Sequence, residues 1–259
     1  MAGKRVLILG GTAEANELAG RLAEIGDCHP VLSLAGRTRQ PRRPDVEFRT
    51  GGFGGSDGLA TYLRDEAFAA LIDATHPFAG QITANAHAAA AETGVPYFRL
   101  LRPGWVEAKG DHWIRVADAV SGAEALTALR LPADAIVFLA LGHRDLEPFA
   151  AMNGLRVLLR GVEPVVPPAG FFACETLIAR GPFSETEELD LLSDKSVGCI
   201  VARDSGGASG YAKLKAARRL DLPVILIDCP RDTSPGSAVE SVEAAIVRLR
   251  NKLVDKGRS

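Results

Sequence analysis

The chain has 259 residues, 47% of them hydrophobic and 24% charged, with 30 Lys and Arg set against 32 Asp and Glu. That composition is ordinary for a globular enzyme and excludes a disordered chain. A net charge of −2 gives no electrostatic case for nucleic acid or an anionic membrane as partner.

The first predicted strand, residues 5–9, is a short apolar run ending in Gly10-Gly11-Thr12-Ala13-Glu14-Ala15, and a helical pattern follows at once to about residue 25. This is the pattern of a first β-strand, phosphate-binding turn and helix start in a nucleotide-binding βαβ unit. Paired glycines let the backbone approach a pyrophosphate, and the helix start offers unpaired N–H groups and the positive end of its dipole. Thr12 departs from the G-x-G-x-x-G fingerprint, whereas Ala15 is an accepted third residue. A tight turn that binds nothing has the same local pattern.

Strands are next expected at 30–35 and 46–50, a helix at 57–66, a strand at 70–74, an alanine-rich helix at 80–93 and a strand at 97–101. The near-continuous apolar runs are those of parallel strands covered on both faces. After the second strand stands Ala35-Gly36-Arg37-Thr38-Arg39, where an NAD site would place a carboxylate for the ribose 2′-OH. Guanidinium groups fit a 2′-phosphate instead, which points to NADPH; a solvated basic loop is the other reading. Thr50-Gly51-Gly52-Phe53-Gly54-Gly55 follows the third strand, offering backbone that lies flat on a ligand and an aromatic face, or simply a flexible loop. The fourth strand ends in Asp73-Ala74-Thr75-His76-Pro77-Phe78-Ala79, at the edge where open α/β sheets bind ligands. His76 there is a hydrogen-bond partner or proton donor, or a structural histidine.

Arg102-Pro103-Gly104-Trp105 breaks the rhythm and marks the expected boundary between domains 1–104 and 105–259. A second series follows, with strands at 113–116, 135–141, 155–159, 197–202 and 224–228. Helices are expected at 119–129, 184–193, 211–220 and 239–253, and the Pro-rich 163–168 as loop or edge. The alternation predicts an α/β fold of two Rossmann-like domains, each a parallel sheet flanked by helices. His143 follows Gly142 at a strand end, placed as a ligand-loop residue with no other support. Arg180-Gly181-Pro182-Phe183-Ser184 precedes an acidic helix; Ser184 and Glu187 make a capping-box pattern, with Arg180 and the loop amides available to an anion. Asp204-Ser205-Gly206-Gly207 through Lys213 opens the next helix and repeats the logic of the first turn, suiting carboxylate or phosphate oxygens.

Walker A, G-x-S-x-G and H-E-x-x-H patterns are absent, and the four cysteines lack C-x-x-C spacing, so no hydrolase or metal site is expected. With no signal-peptide pattern and no apolar run near the roughly 18 residues of a membrane span, a soluble cytoplasmic protein is expected. Its oligomeric state is open, and a monomer is compatible with the sequence.

Taken together, Ile8 to Glu14, Ala35 to Thr38, Gly51 to Gly55, Asp73 to Ala79 with Gln81, Ile82 and Asn85, Gly181 to Ser184, Asp204 to Gly207 with Lys213, and Pro223 to Ile225 resemble the precorrin-6A reductases of cobalamin biosynthesis. The cobalt-precorrin-6A reductases are close relatives. The resemblance implies an NADPH-dependent reductase that passes hydride to C19 of a tetrapyrrole rich in carboxylates, in a cleft between two Rossmann-like domains. It implies a cofactor side formed by Gly10, Gly11, Thr12, Ala13, Glu14, Arg37, Thr38, Gly52, Phe53, Thr75, His76 and Pro77. Arg180, Gly181, Pro182, Phe183, Ser184, Ser205, Gly206, Gly207 and Lys213 would face the substrate; no catalytic residue is assigned. A non-catalytic NADP(H)-binding regulator is one alternative, disfavoured by the second glycine-rich helix start. A short-chain-type carbonyl reductase is another; it uses Tyr-x-x-x-Lys, and Tyr211 with Lys213 lacks that spacing.

Overall fold

The computed structural model describes residues 3–26, 28–36, 45–152, 154–229 and 238–255. The first elements are β1 (Lys4–Leu9), α1 (Ala13–Ile25), β2 (Cys28–Leu34), β3 (Glu47–Thr50), α2 (Ser56–Asp65), β4 (Ala70–Asp73), α3 (Gly80–Thr93) and β5 (Tyr97–Leu100). Then come β6 (His112–Val116), α4 (Ala119–Ala128), β7 (Ile136–Ala140), α5 (Glu147–Ala150), β8 (Arg156–Gly161), β9 (Ala173–Ile178), α6 (Glu185–Asp194), β10 (Val197–Arg203), α7 (Ala212–Arg219) and β11 (Pro223–Ile227). The chain closes with β12 (Ala238–Val239) and α8 (Val242–Asp255). The chain divides into two units, Met1–Arg102 with Arg231–Ser259, and Pro103–Pro230.

The sheet of the first unit runs β3-β2-β1-β4-β5-β12, with all neighbours parallel. This is the doubly wound dinucleotide-binding order, whose direction reverses between β1 and β4. Successive β1 side chains point to opposite faces. Val6 and Ile8 pack with α1 and α8 in one core, and Leu7 and Leu9 with α2 and α3 in the other. A strand buried on both sides needs no polar alternation, which is why the sequence shows an unbroken apolar run.

The sheet of the second unit runs β9-β8-β7-β10-β11-β6, again all parallel. Phe138, Leu158, Ile200, Ala202, Val224 and Leu226 bury one face against α6 and α7. The alternate positions Val137, Leu139, Val201 and Ile225 are equally buried, and α4 packs on β11 and α5. The strand order repeats that of the first unit, with the reversal between β7 and β10. The expected α/β fold of two parallel, helix-flanked sheets is what the chain forms.

The boundary between Arg102 and Pro103 lies two residues before the expected one, but the second domain does not run to residue 259. The tail returns to the first sheet: β12 pairs with Arg99 and Leu100 of β5, and Leu101 N–H donates to Val239 O at 2.9 Å. Helix α8 then buries Val242, Ala245 and Ile246 in the core formed with α1. A two-residue strand has no hydrophobic period to detect. In the second unit the sixth place is filled by β6, the unit's own first strand. Strand β9 and the one-turn helix α5 were also not expected. As an edge strand, β9 exposes Ala173, Glu175, Thr176 and Ile178, so its sequence lacks a buried strand's apolar run.

Candidate functional site

In the first unit the carboxyl ends of β1 and β4 meet at the switch point. Gly11 has φ +114, a conformation that favours glycine, and Gly10 N–H donates to Ser33 O at 2.9 Å. Thr12 caps α1: its Oγ1 accepts from Ala15 N–H at 3.1 Å and donates to Ala74 O at 2.8 Å. The hydroxyl therefore ties the β1 turn to the end of β4, a task the fingerprint glycine could not perform. The backbone N–H groups of Ala13 and Glu14 have no partner among the described residues and belong to the helix start. The Glu14 carboxylate is held by Arg102 Nη1 at 2.8 and 2.9 Å, which offsets its charge at the helix start.

Beside this turn, Asp73 is buried and organises the β4 loop. Its Oδ1 accepts from Thr75 N–H at 3.0 Å and Thr75 Oγ1 at 2.6 Å, while Oδ2 accepts from Thr83 Oγ1 at 2.6 Å and lies 3.3 Å from Arg99 Nε. Thr75 and Pro77 are buried and His76 is exposed, its Nδ1 accepting from Phe78 N–H at 3.3 Å. Arg49 latches the 51–55 loop by donating to Gly51 O, Gly52 O and Ser33 Oγ at 3.0–3.1 Å. Its guanidinium lies 3.9 Å from the Phe53 ring centroid, and Tyr62 packs on the same ring at 5.5 Å. The Phe53 face is thus partly used inside the protein. Burial raises the Tyr62 hydroxyl above its ordinary range. Arg37 and Thr38 lie outside the described residues.

In the second unit the loop after β10 winds around Trp105. Asp204, 3% exposed, accepts from Trp105 N–H at 3.0 Å, Gly206 N–H at 3.2 Å and Arg115 Nη2 at 2.6 Å. Trp105 Nε1 donates to Gly207 O at 2.7 Å, and Gly210 lies so close to the indole that a Cβ would approach it to 3.1 Å. Gly206 and Gly207 have φ +62 and +70, so the loop needs both glycines. Lys213 Nζ donates to Gly210 O at 2.7 Å and lies 5.7 Å from the Trp105 ring. Burial pushes its ammonium down to about 8; the nearby Glu188 raises it and Arg160 lowers it further.

The 181–184 segment sits against a second cluster. Phe183 lies 4.1 Å from the Arg160 guanidinium, which forms two bonds to Glu188 at 2.8 and 2.9 Å and stacks on Phe138. Ser184 and Glu187 form the expected capping box, and those bonds hold the Glu187 carboxyl below its usual range. Gly181 to Ser184 and Lys213 are therefore neighbours of one Arg160–Glu188 pair. Arg49, Asp73, Arg99, Trp105, Arg160 and Glu188 were not among the expected site residues. A signal was available for three of them: Asp73, Arg99 and Arg160 stand within or at the end of an apolar stretch.

By topology, the 204–210 loop occupies the place of the β4 loop, and the counterpart of the opening Gly-Gly-Thr turn is the turn after β7. Contrary to the expectation from Tyr211 and Lys213, Tyr211 and Lys215 do form Tyr-x-x-x-Lys. The Tyr211 hydroxyl accepts from Arg218 Nη2 at 3.0 Å, and Arg218 is tied to Asp111 just before β6, toward the amino edge of the sheet. Lys215 Nζ lies 6.0 Å from the ring, and the Tyr211 hydroxyl is already engaged by Arg218. Among the described residues no His, Cys, Asp and Glu group could hold a metal, and no helix is long and apolar enough to cross a membrane.

The family model described as precorrin-6x reductase CbiJ/CobK matches residues 5–250. A precorrin-6A reductase from Sinorhizobium is 44% identical over 249 residues, covering 96% of this chain and 94% of that one. A cobalt-precorrin-6A reductase from Methanothermobacter thermautotrophicus is 31% identical over 251 residues, covering 90% and 79%. A solved structure of CobK precorrin-6A reductase superposes with a TM-score of 0.87 at 41% identity, covering 96% of this chain and 97% of that chain. By sequence and by fold, the chain belongs to the CbiJ/CobK family of precorrin-6x reductases.

Proposed function

We propose that the chain is an NADPH-dependent reductase of precorrin-6A, giving precorrin-6B in cobalamin biosynthesis. One observation carries the reading: a doubly wound sheet with a glycine turn and two unpartnered helix-start amides at its switch point, in a chain of this family. Those amides and the Gly10–Gly11 backbone fit a pyrophosphate. When bound, NADPH supplies a hydride for C19 of the macrocycle, reducing the C18=C19 bond as a proton is added at C18.

The chain's own residues position the reactants. Gly10, Gly11, Ala13 and Glu14 hold the diphosphate through backbone, and Thr12 sets the width of the crevice. Gly52 and Phe53, held by Arg49, and the Thr75-His76-Pro77 loop, held by Asp73, form its walls; Arg37 and Thr38 remain the sequence's choice for the 2′-phosphate. In the second unit the Ser205-Gly206-Gly207 loop, Lys213 and residues 180–184 take the carboxylate arms of the substrate. Higher identity to the relative named for the metal-free macrocycle supports precorrin-6A over its cobalt form. A cytoplasmic location follows from NADPH as reductant.

Purified protein given NADPH and precorrin-6A should oxidise the cofactor with a matching change in the macrocycle spectrum, faster than with cobalt-precorrin-6A or NADH. Tight NADPH binding without turnover of either macrocycle would instead identify a cofactor-sensing regulator.

A further inference from the structure

We infer that the turn after β7, Gly142-His143-Arg144, is the second wall of the substrate crevice in the second unit, and that Arg144 with His143 binds a carboxylate of the macrocycle. The inference rests on the reading of this unit as the tetrapyrrole side.

In an open α/β sheet the ligand crevice lies outside the carboxyl ends of the two strands at which the order reverses. In this unit those strands are β7 and β10. The loop after β10 contains Ser205, Gly206 and Gly207, already read as substrate-facing. The other side of the crevice is the β7 turn. Gly142 has φ +67, as Gly11 in the corresponding turn of the first unit also has positive φ.

The two walls are joined. Arg203, the last residue of β10, donates from Nη1 to Leu141 O at 3.1 Å and pairs through Nη2 with Asp145. Thr12 makes the equivalent crossing in the first unit, from the β1 turn to Ala74 O. The Arg203 crossing also neutralises Asp145, the carboxylate of the β7 turn. What the turn then presents is the Arg144 guanidinium beside His143: His143 is exposed and Arg144 half-buried, and neither side chain has a hydrogen-bond or ion-pair partner among the described residues. Of the neighbouring cations, Arg160 is engaged by Glu188 and Arg115 by Asp204, while Lys213 gives one of its three donors to Gly210 O. A substrate with many carboxylates needs a cation whose donors are not already spent, and Arg144 offers a planar fork suited to one.

The test is steady-state kinetics of R144A, R144K, H143Q and the R144A/H143Q double variant, with NADPH and precorrin-6A varied separately. Loss of a charge-assisted hydrogen bond should raise the KM for precorrin-6A by about tenfold or more in R144A. The effect should fall in KM rather than kcat, leave the KM for NADPH unchanged, be largely rescued in R144K, and shrink with added salt. Both side chains reach solvent, so thermal unfolding should match wild type. An unchanged KM for precorrin-6A in the double variant, with wild type active, overturns the inference alone. Failure of wild-type protein to turn over precorrin-6A overturns the reductase reading and this inference with it.

Discussion

Replacing Glu188 by Gln keeps the shape of the side chain and removes its charge, leaving Arg160 in a setting that only a carboxylate balances. The two side chains are 2% and 8% exposed, and both bonds between them are below 3 Å. A surface pair of the same geometry contributes about 0–1 kcal/mol. Breaking a buried one costs about 3–5 kcal/mol, because the remaining charge is desolvated and unpaired. Gln still offers one acceptor, and the Phe138 and Phe183 rings still flank the guanidinium, so the lower part of that range is expected, about 3 kcal/mol. Both tryptophans, Trp105 and Trp113, lie in this unit, so their fluorescence during urea unfolding follows it specifically. The double variant R160M/E188M, which removes both charges, should recover most of the loss. A cost below about 1 kcal/mol for E188Q would refute the reasoning, since the pair would then behave as a solvated one. So would a double variant that is no more stable than the single.

Thr12→Val should lose the N-cap and the bond to Ala74 O together, costing about 1–2 kcal/mol in urea unfolding, with T12S close to wild type. NADPH affinity measured by titration should fall in T12V and recover in T12S; equal affinity in all three would show that the crossing does not shape the cofactor site. Lys213 gives a pH dependence of definite sign. Its folded value of about 8 lies below the ordinary 10.5, so between those values the unfolded chain binds more protons and the second unit gains stability as pH rises. Below about pH 8 the burial cost is fully present. Trp-detected unfolding at about pH 7 and about pH 10 should show a smaller alkaline gain in K213M than in wild type, other titrating groups cancelling in the comparison.

What the sequence made legible follows from what burial does to it. Central strands covered on both faces must be apolar throughout, so β1, β4, β7, β10 and β11 were readable as runs, and so was the α/β class. Edge elements are not under that constraint. Strand β9 is mostly exposed and β12 is two residues long, and β12 exists because β5 offers it an edge. No local pattern encodes a partner that lies more than a hundred residues away. The glycine-rich loops were legible as loops, but their clamps were not. Asp73 ends the Ala70–Asp73 run, Arg99 interrupts Tyr97-Phe98-Arg99-Leu100, and Arg160 follows Leu158-Leu159. A charge inside a stretch that must be buried requires a buried counter-charge, and Asp73 with Arg99 and Arg160 with Glu188 supply it. Glu188 carries the same signal in a helix, standing four residues before the buried Leu192 on the core-facing side of α6.

The repetition of one sheet order in both units explains why their turns differ. Each switch point is closed by a side chain reaching across it, and the kind of side chain sets what the crevice offers. In the first unit the crossing is a neutral hydroxyl, Thr12 to Ala74 O, and the Glu14 carboxylate is held by Arg102. The helix-start amides are left as the donors, which suits a diphosphate lying on backbone. In the second unit the crossing is the Arg203 guanidinium, which holds Leu141 O and consumes Asp145. There the side chains of His143 and Arg144 are left as the donors, which suits separate carboxylate arms reaching the protein from a large ring. A backbone site favours a turn of small residues, and a side-chain site does not. Gly-Gly-Thr after β1 and Leu-Gly-His-Arg after β7 are therefore two solutions at one topological position, each matched to the anion it would hold.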